Sequence, residues 1–121
     1  MKDWDGLRFP LIRTERKKSA GATNEELIIG PVPEGRLWVI NWVALEDETT
    51  AFTYLRAYIG LLGENHYLFE EKLPVAARLY WNDTPIYLPE LRTLVGRFNT
   101  TTSGDKLAMY ATGFELRQVR P

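Results

Sequence analysis

From Glu26 onward, apolar and polar positions alternate in short runs broken by Gly, Pro, Asn and Asp. Alternation with a period of two marks strands that bury one face. The runs predict strands over residues 26–30, 36–46, 50–61, 67–70, 77–81, 86–88, 93–99, 106–112 and 114–117, eight or nine in all. Their spacing is that of a sandwich or barrel. Pro31 and Pro33 lack the N–H that a central strand needs, so the chain must turn before Arg36. Asn82-Asp83-Thr84-Pro85 and Thr102-Ser103-Gly104-Asp105 have the residues of tight connections between antiparallel strands. No run keeps a 3.6-residue apolar period over helical length, and 63–72 is the best candidate for a short helix. The pattern predicts an all-β fold, an antiparallel two-sheet sandwich.

Residues 1–24 fall outside that pattern. Residues 1–10 show no periodicity, Arg13 to Lys18 is strongly charged, and Ser19 to Asn24 is small and turn-like. This divides the chain into an N-terminal arm, 1–24, and one sandwich domain, 25–121. At 121 residues two cores would each be too small, and 45% hydrophobic against 26% charged residues is the balance of a folding domain. A net charge of −1 supplies no overall field to draw nucleic acid or anionic membranes, so any partner is recognised locally. The absence of cysteine excludes disulfides, thiolate catalysis and cysteine-ligated metals. The first ten residues hold Lys2, Asp3, Trp4, Asp5 and Arg8 and no apolar stretch of signal-peptide or membrane-spanning length. The expectation is a protein made and used without a secretion signal.

The most informative stretch is 36–61. With a strict two-residue period, Leu37, Val39, Val43 and Leu45 point one way, interrupted by Asn41, and Trp38, Ile40, Trp42 and Ala44 the other. In the next strand Leu55, Ala57, Ile59 and Leu61 share a face opposite Phe52, Tyr54, Arg56 and Tyr58. If the aliphatic faces build the core, then Trp38, Trp42, Phe52, Tyr54, Arg56 and Tyr58 face outward. That set has the Trp, Tyr and Arg enrichment of protein interfaces. Two other readings stand beside it: the chain covers both faces itself and the aromatics are core, or the rings form a platform for sugars. Tyr80, Trp81 and Tyr87, around the 82–85 turn, are a second group that a sugar could use, against a plainer role in packing a hairpin end.

Other chemistry is sparse. Arg13, Arg16, Lys17 and Lys18 suit phosphates, but Glu15 interrupts them and no aromatic interleaves, so a solvated or subunit-bridging arm is the better reading. Glu46, Asp47 and Glu48 are oxygen donors without calcium-loop spacing and read as an acidic turn. His66 is the single histidine, and neither serine, Ser19 or Ser103, lies in a Gly-x-Ser-x-Gly elbow. The nine glycines form no phosphate loop. Two acids can meet from anywhere in the chain, so a glycosidase-type carboxylate pair ranks last among the readings. Asn82-Asp83-Thr84 and Asn99-Thr100-Thr101 match the glycosylation pattern but read as turn chemistry. A non-enzymatic protein without metal or cofactor is expected.

Val32-Pro33-Glu34-Gly35-Arg36-Leu37-Trp38-Val39-Ile40, then Leu94-Val95-Gly96-Arg97-Phe98, and Gly104-Asp105-Lys106-Leu107 through Gly113-Phe114-Glu115-Leu116, resemble small jelly-roll proteins of tailed-bacteriophage virions. There a Pro-x-Gly turn opens the main strand and a Gly-Asp-x-Leu turn precedes the closing strands. The resemblance spans residues 30–117. It implies a sandwich of jelly-roll type and a head-decoration, cement or other minor capsid role in the virion, as a homo-oligomer with a trimer favoured. The major capsid protein or another virion protein would be the partner, the arm would reach a neighbour, and the long-strand aromatics would form the subunit contact. A carbohydrate-binding, lectin-like or receptor-binding module is the alternative.

Overall fold

The computed structural model describes residues 4–19, 24–47, 54–59, 67–72, 78–99, 101 and 103–119. Among them the strands are β1 (Phe9–Lys18), β2 (Asn24–Ile29), β3 (Arg36–Asp47), β4 (Tyr54–Ile59), β5 (Tyr67–Lys72), β6 (Arg78–Asn82), β7 (Ile86–Leu88), β8 (Leu94–Asn99) and β9 (Lys106–Arg117). They form two antiparallel sheets. One has the order β1-β9-β3-β6 with β7 also on β3, and the other has the order β2-β8-β4-β5. The pairs β1·β9, β2·β8, β3·β6 and β4·β5 nest, as if one long hairpin had been rolled up. Successive pairs then fall in alternate sheets. The two antiparallel sheets make the all-β sandwich expected from the sequence.

The core lies between the sheets. Trp38, Ile40, Val43, Leu45, Leu107, Met109 and Ala111 enter it from the five-stranded sheet, and Leu27, Ile29, Ala57, Leu94 and Phe98 from the other. Gly96 lets the layers approach, because a Cβ there would meet the Leu45 side chain and the Met109 sulfur. The 31–35 turn forms as expected. The Arg36 N–H donates to the Pro33 carbonyl at 3.2 Å, and Gly35, at a φ of 78°, donates its N–H to Glu90 Oε2 at 2.7 Å.

Several expectations are corrected. Residues 9–18, read as part of an arm, are an edge strand paired with β9 along their whole length. Seven consecutive exposed residues, Ile12 to Lys18, hide this strand from a search for alternation. The 63–72 helix is not formed over Tyr67–Lys72, which is β5 hydrogen-bonded to β4; residues 63–66 lie outside the described residues. The segments 106–112 and 114–117 are one strand, β9. Residues 82–85 do not reverse the chain. Asn82 lies opposite Val43 and Ile86 opposite Ile40, so β6 and β7 are two halves of one edge strand broken around Pro85.

The largest correction is in β3. Its pairing with β9 shifts between Ile40 and Trp42, which leaves Asn41 as a β-bulge. A bulge inserts one residue and so inverts the facing of everything beyond it. The inner face is therefore Trp38 and Ile40 before the bulge and Val43 and Leu45 after it. Opposite the bulge stands Gly113, where a Cβ would run into the Val39 carbonyl oxygen. Glycine there is required by the close approach of β3 and not by its dihedral angles.

Candidate functional site: the outer face of the five-stranded sheet

Partners directly opposite in antiparallel strands share a face. Val39 is opposite both Phe114 and Tyr87, Ala44 is opposite both Tyr110 and Trp81, and Glu46 is opposite Leu79. With Trp42, and with Ile12 across β9 from it, these residues form the outer face of the five-stranded sheet. Trp81 is 57% exposed, Tyr87 67% and Ile12 77%. Trp42 and Tyr110 are half-buried against each other, their ring centroids 6.5 Å apart and tilted by 35°. Arg8 lies over the Phe114 ring at 4.8 Å. A group of rings thus faces away from the core, with Glu46, Arg16, Lys18 and Lys106 toward one end of the same face; a monomer exposes few contiguous rings.

The residues singled out from the sequence are distributed over three surfaces. Trp38 is in the core at 1% exposure, with its Nε1–H donated to Glu115 Oε1 at 2.9 Å. Trp42 is on the outer face of the five-stranded sheet. Arg56 and Tyr58 lie on the opposite side of the sandwich, on the outer face of the four-stranded sheet. There Tyr58 is buried, its hydroxyl donating to Glu26 Oε2 at 3.1 Å, with Arg97 over its ring at 5.7 Å. Phe52 lies outside the described residues, and Tyr54 is placed as the first residue of β4. Trp38, Trp42, Arg56 and Tyr58 therefore do not share one outward face. The inferred grouping fails because the period was carried straight through Asn41.

The second aromatic group divides as well. Tyr80, opposite Leu45, turns inward and packs on the core, whereas Trp81 and Tyr87 turn outward. The basic residues alternate along β1. Arg13 lies over the Trp38 ring at 5.1 Å and Lys17 pairs with Glu25 at 2.6 Å, both on the core-facing side of the strand, while Arg16 and Lys18 take the other side; all four are exposed. The sequence pattern does not flag Ile12, Tyr110 or Phe114, the first because β1 reads as an arm. The other two alternate with Met109, Ala111 and Gly113, a signal obscured by taking Gly113 for a strand break.

Two buried polar clusters cap the sandwich. At one end Glu115 accepts from Trp38 and pairs with Arg117 at 3.0 Å and Arg36 at 3.3 Å, and Arg117 covers the Phe9 ring at 3.8 Å. Burial alone would push the Glu115 carboxyl up, but the Trp38 N–H and the Arg117 and Arg36 guanidinium groups hold it below the ordinary glutamate value. At the other end the buried hydroxyls of Ser19 and Thr101 are 2.6 Å apart and Ser19 also donates to Glu25. Glu46 and Asp47 face opposite ways, Glu46 accepting from the Tyr110 hydroxyl and Asp47 buried, so they do not converge on a cation; Glu48 and His66 lie outside the described residues. Among the described residues, no three His, Cys, Asp or Glu side chains gather in a metal-binding arrangement. No protein-family model matches the chain, and no curated protein is significantly similar to it in sequence.

Proposed function

We propose that the protein is a non-enzymatic structural protein that acts by adhesion and assembles with itself through the outer face of the five-stranded sheet. The observation that carries the reading is the exposure of Trp81, Tyr87 and Ile12 beside Trp42 and Tyr110 on one sheet face. Covering such rings gains roughly 25 cal/mol per Å2 of apolar area, and repeated symmetric contacts reinforce one another. Its setting is a tailed-phage virion, as a decoration or cement protein made in the host cytoplasm and bound to the capsid lattice as a homo-oligomer, with a trimer favoured. Support for that setting is the sequence resemblance over residues 30–117 together with the nested strand order. The subunit contact moves from the Trp38–Tyr58 set to the Trp42–Trp81–Tyr87 face. Light scattering at micromolar concentration should report an oligomer, and Trp81→Ser with Tyr87→Ser should yield monomers with an unchanged β-sheet spectrum. A wild-type protein that stays strictly monomeric overturns the reading.

A second reading is favoured by one observation. Trp81 and Tyr87 occupy the two halves of one edge strand on the same face, as rings that stack on a sugar chain would. Under that reading a monomer binds glycans and Trp81→Ala abolishes the binding. Tyr80 takes no part, because it faces the core.

A further inference from the structure

Where β1 ends and β9 begins, Arg16, Lys17, Lys18 and Lys106 line a hollow of about 380 Å3 together with Leu107. Lys18 is the direct register partner of Lys106. Like charges placed opposite each other destabilise an antiparallel pair. Arg16, Lys18 and Lys106 are all exposed, and Lys17 alone of the four is seen paired to an acid, Glu25. Among the described residues the nearby acids are buried, turned away or engaged: Glu25 and Asp105 are buried, Glu15, opposite Met109, alternates to the other side of β1 from Arg16, and Glu46, across Ala108 on the same face, accepts from the Tyr110 hydroxyl. A chain with a net charge of −1 thus gathers four cations around one concave corner. An isolated surface lysine is normally solvated, but opposed lysines flanking a hollow call for an anion between them.

We propose that this hollow binds a condensed phosphate, either free or as the phosphate tail of a nucleotide. Successive phosphoryl groups carry several negative charges a few ångströms apart, so one ligand reaches Arg16, Lys18 and Lys106 together. A lone carboxylate neutralises one cation and leaves the lysine pair opposed. Lys and Arg bind phosphate oxygens through charge-assisted hydrogen bonds, with the fork of Arg16 able to contact two oxygens. Binding also relieves the repulsion across the β1·β9 ladder, so ligand and fold stabilise each other. The cations are confined to one corner, which suits a compact anion and gives a polymer no track. The site lies at one end of the same sheet face as Tyr110 and Ile12, but it rests on the cations and not on the rings, and its readout is phosphate binding and not assembly.

The test is calorimetry and thermal melting of the full chain with sodium tripolyphosphate and with ATP, against sodium chloride of matched ionic strength. Tripolyphosphate should bind saturably and raise the melting temperature beyond the chloride control. Lys18→Ser and Lys106→Ser should each weaken it about tenfold, the effect of one charge-assisted contact. Each variant should also melt higher than wild type without ligand, because the opposed charge is gone; a purely structural lysine would give the reverse. Equal affinity for ATP and tripolyphosphate assigns the site to free condensed phosphate, and tighter ATP binding assigns it to a nucleotide. Melting no higher than in chloride, affinity unchanged in both variants, or binding of single-stranded DNA without binding of tripolyphosphate overturns the proposal.

Discussion

Trp38 and Glu115 are matched at the level of single atoms. An indole buried in the core needs an acceptor for its N–H, and a buried carboxylate needs donors, so each removes the other's cost. Trp38→Phe keeps most of the apolar contact but leaves Glu115 short of a donor, and should cost about 1–3 kcal/mol in urea unfolding. The same carboxylate predicts a pH dependence. Its folded-state pKa lies below its unfolded value near 4.5, so its contribution is complete above that value and is lost as the pH falls through the folded pKa. Unfolding followed from pH 7 downward should therefore steepen below about 4.5, and Glu115→Gln should flatten that limb. Tyr58 has the opposite sense. Burial first, then Glu26, raises its pKa above 10.0 against the pull of Arg97, so its contribution holds below that value and falls away as the pH climbs through the raised pKa. Absorbance titration should show a phenol ionising above the ordinary tyrosine value, and Tyr58→Phe should lose it.

At the scale of the strand, one residue sets the surface chemistry of β3. Asn41→Ala changes an exposed side chain and should alter stability little, whereas deletion of Asn41 would turn Val43 and Leu45 out of the core and should abolish the cooperative unfolding transition. Gly113→Ala should cost about 1–3 kcal/mol or more by forcing β3 and β9 apart, read by denaturation. These elements also show what the sequence makes legible. Most of β2 to β9 announce themselves because apolar and polar positions alternate and because Gly, Pro and Asn mark their ends, although the stretch that holds β5 also reads as a helix and β9 reads as two strands. β1 does not, since an edge strand can remain exposed while its backbone is fully paired on one side. The bulge leaves no mark either, because nothing in Asn-Trp-Val distinguishes a residue that drops out of register from one that stays in it. The error at the candidate site follows directly: the aromatic face was inferred by parity, and parity changes at Asn41. Trp81 and Tyr87 stand out in the sequence as rings beside a turn, but so does Tyr80, because flanking a turn assigns no face.

Over the whole molecule, the two outer faces differ in character. The five-stranded sheet presents rings and aliphatic side chains with Arg16, Lys18 and Lys106 at one end, while the four-stranded sheet presents Glu26 paired with Arg97 at 3.0 Å around Tyr58, with Arg56 alongside. Under the proposed assembly through the first face, the second faces the other way and stays open to the proposed capsid contact. Charge reversal at the second face, such as Glu26→Lys, should leave the oligomer seen by light scattering intact. Loss of that oligomer would place the subunit contact on the wrong side of the sandwich.

The pairing of β1 with β9 also governs the order of events in time. A ribosome releases residues 9–18 early and 106–117 near the end of the described chain, so the first strand waits unpartnered through most of synthesis. Rings of contact between such distant segments slow folding, and a β-rich chain held open is exposed to wrong partners meanwhile. The run of charged residues from Arg13 to Lys18 protects that waiting strand, since like-charged edges repel one another before β9 arrives. Chains halted before Lys106 should accordingly stay soluble yet unstructured by circular dichroism, and replacing Arg13, Arg16 and Lys18 with Val should send the same fragments into aggregates.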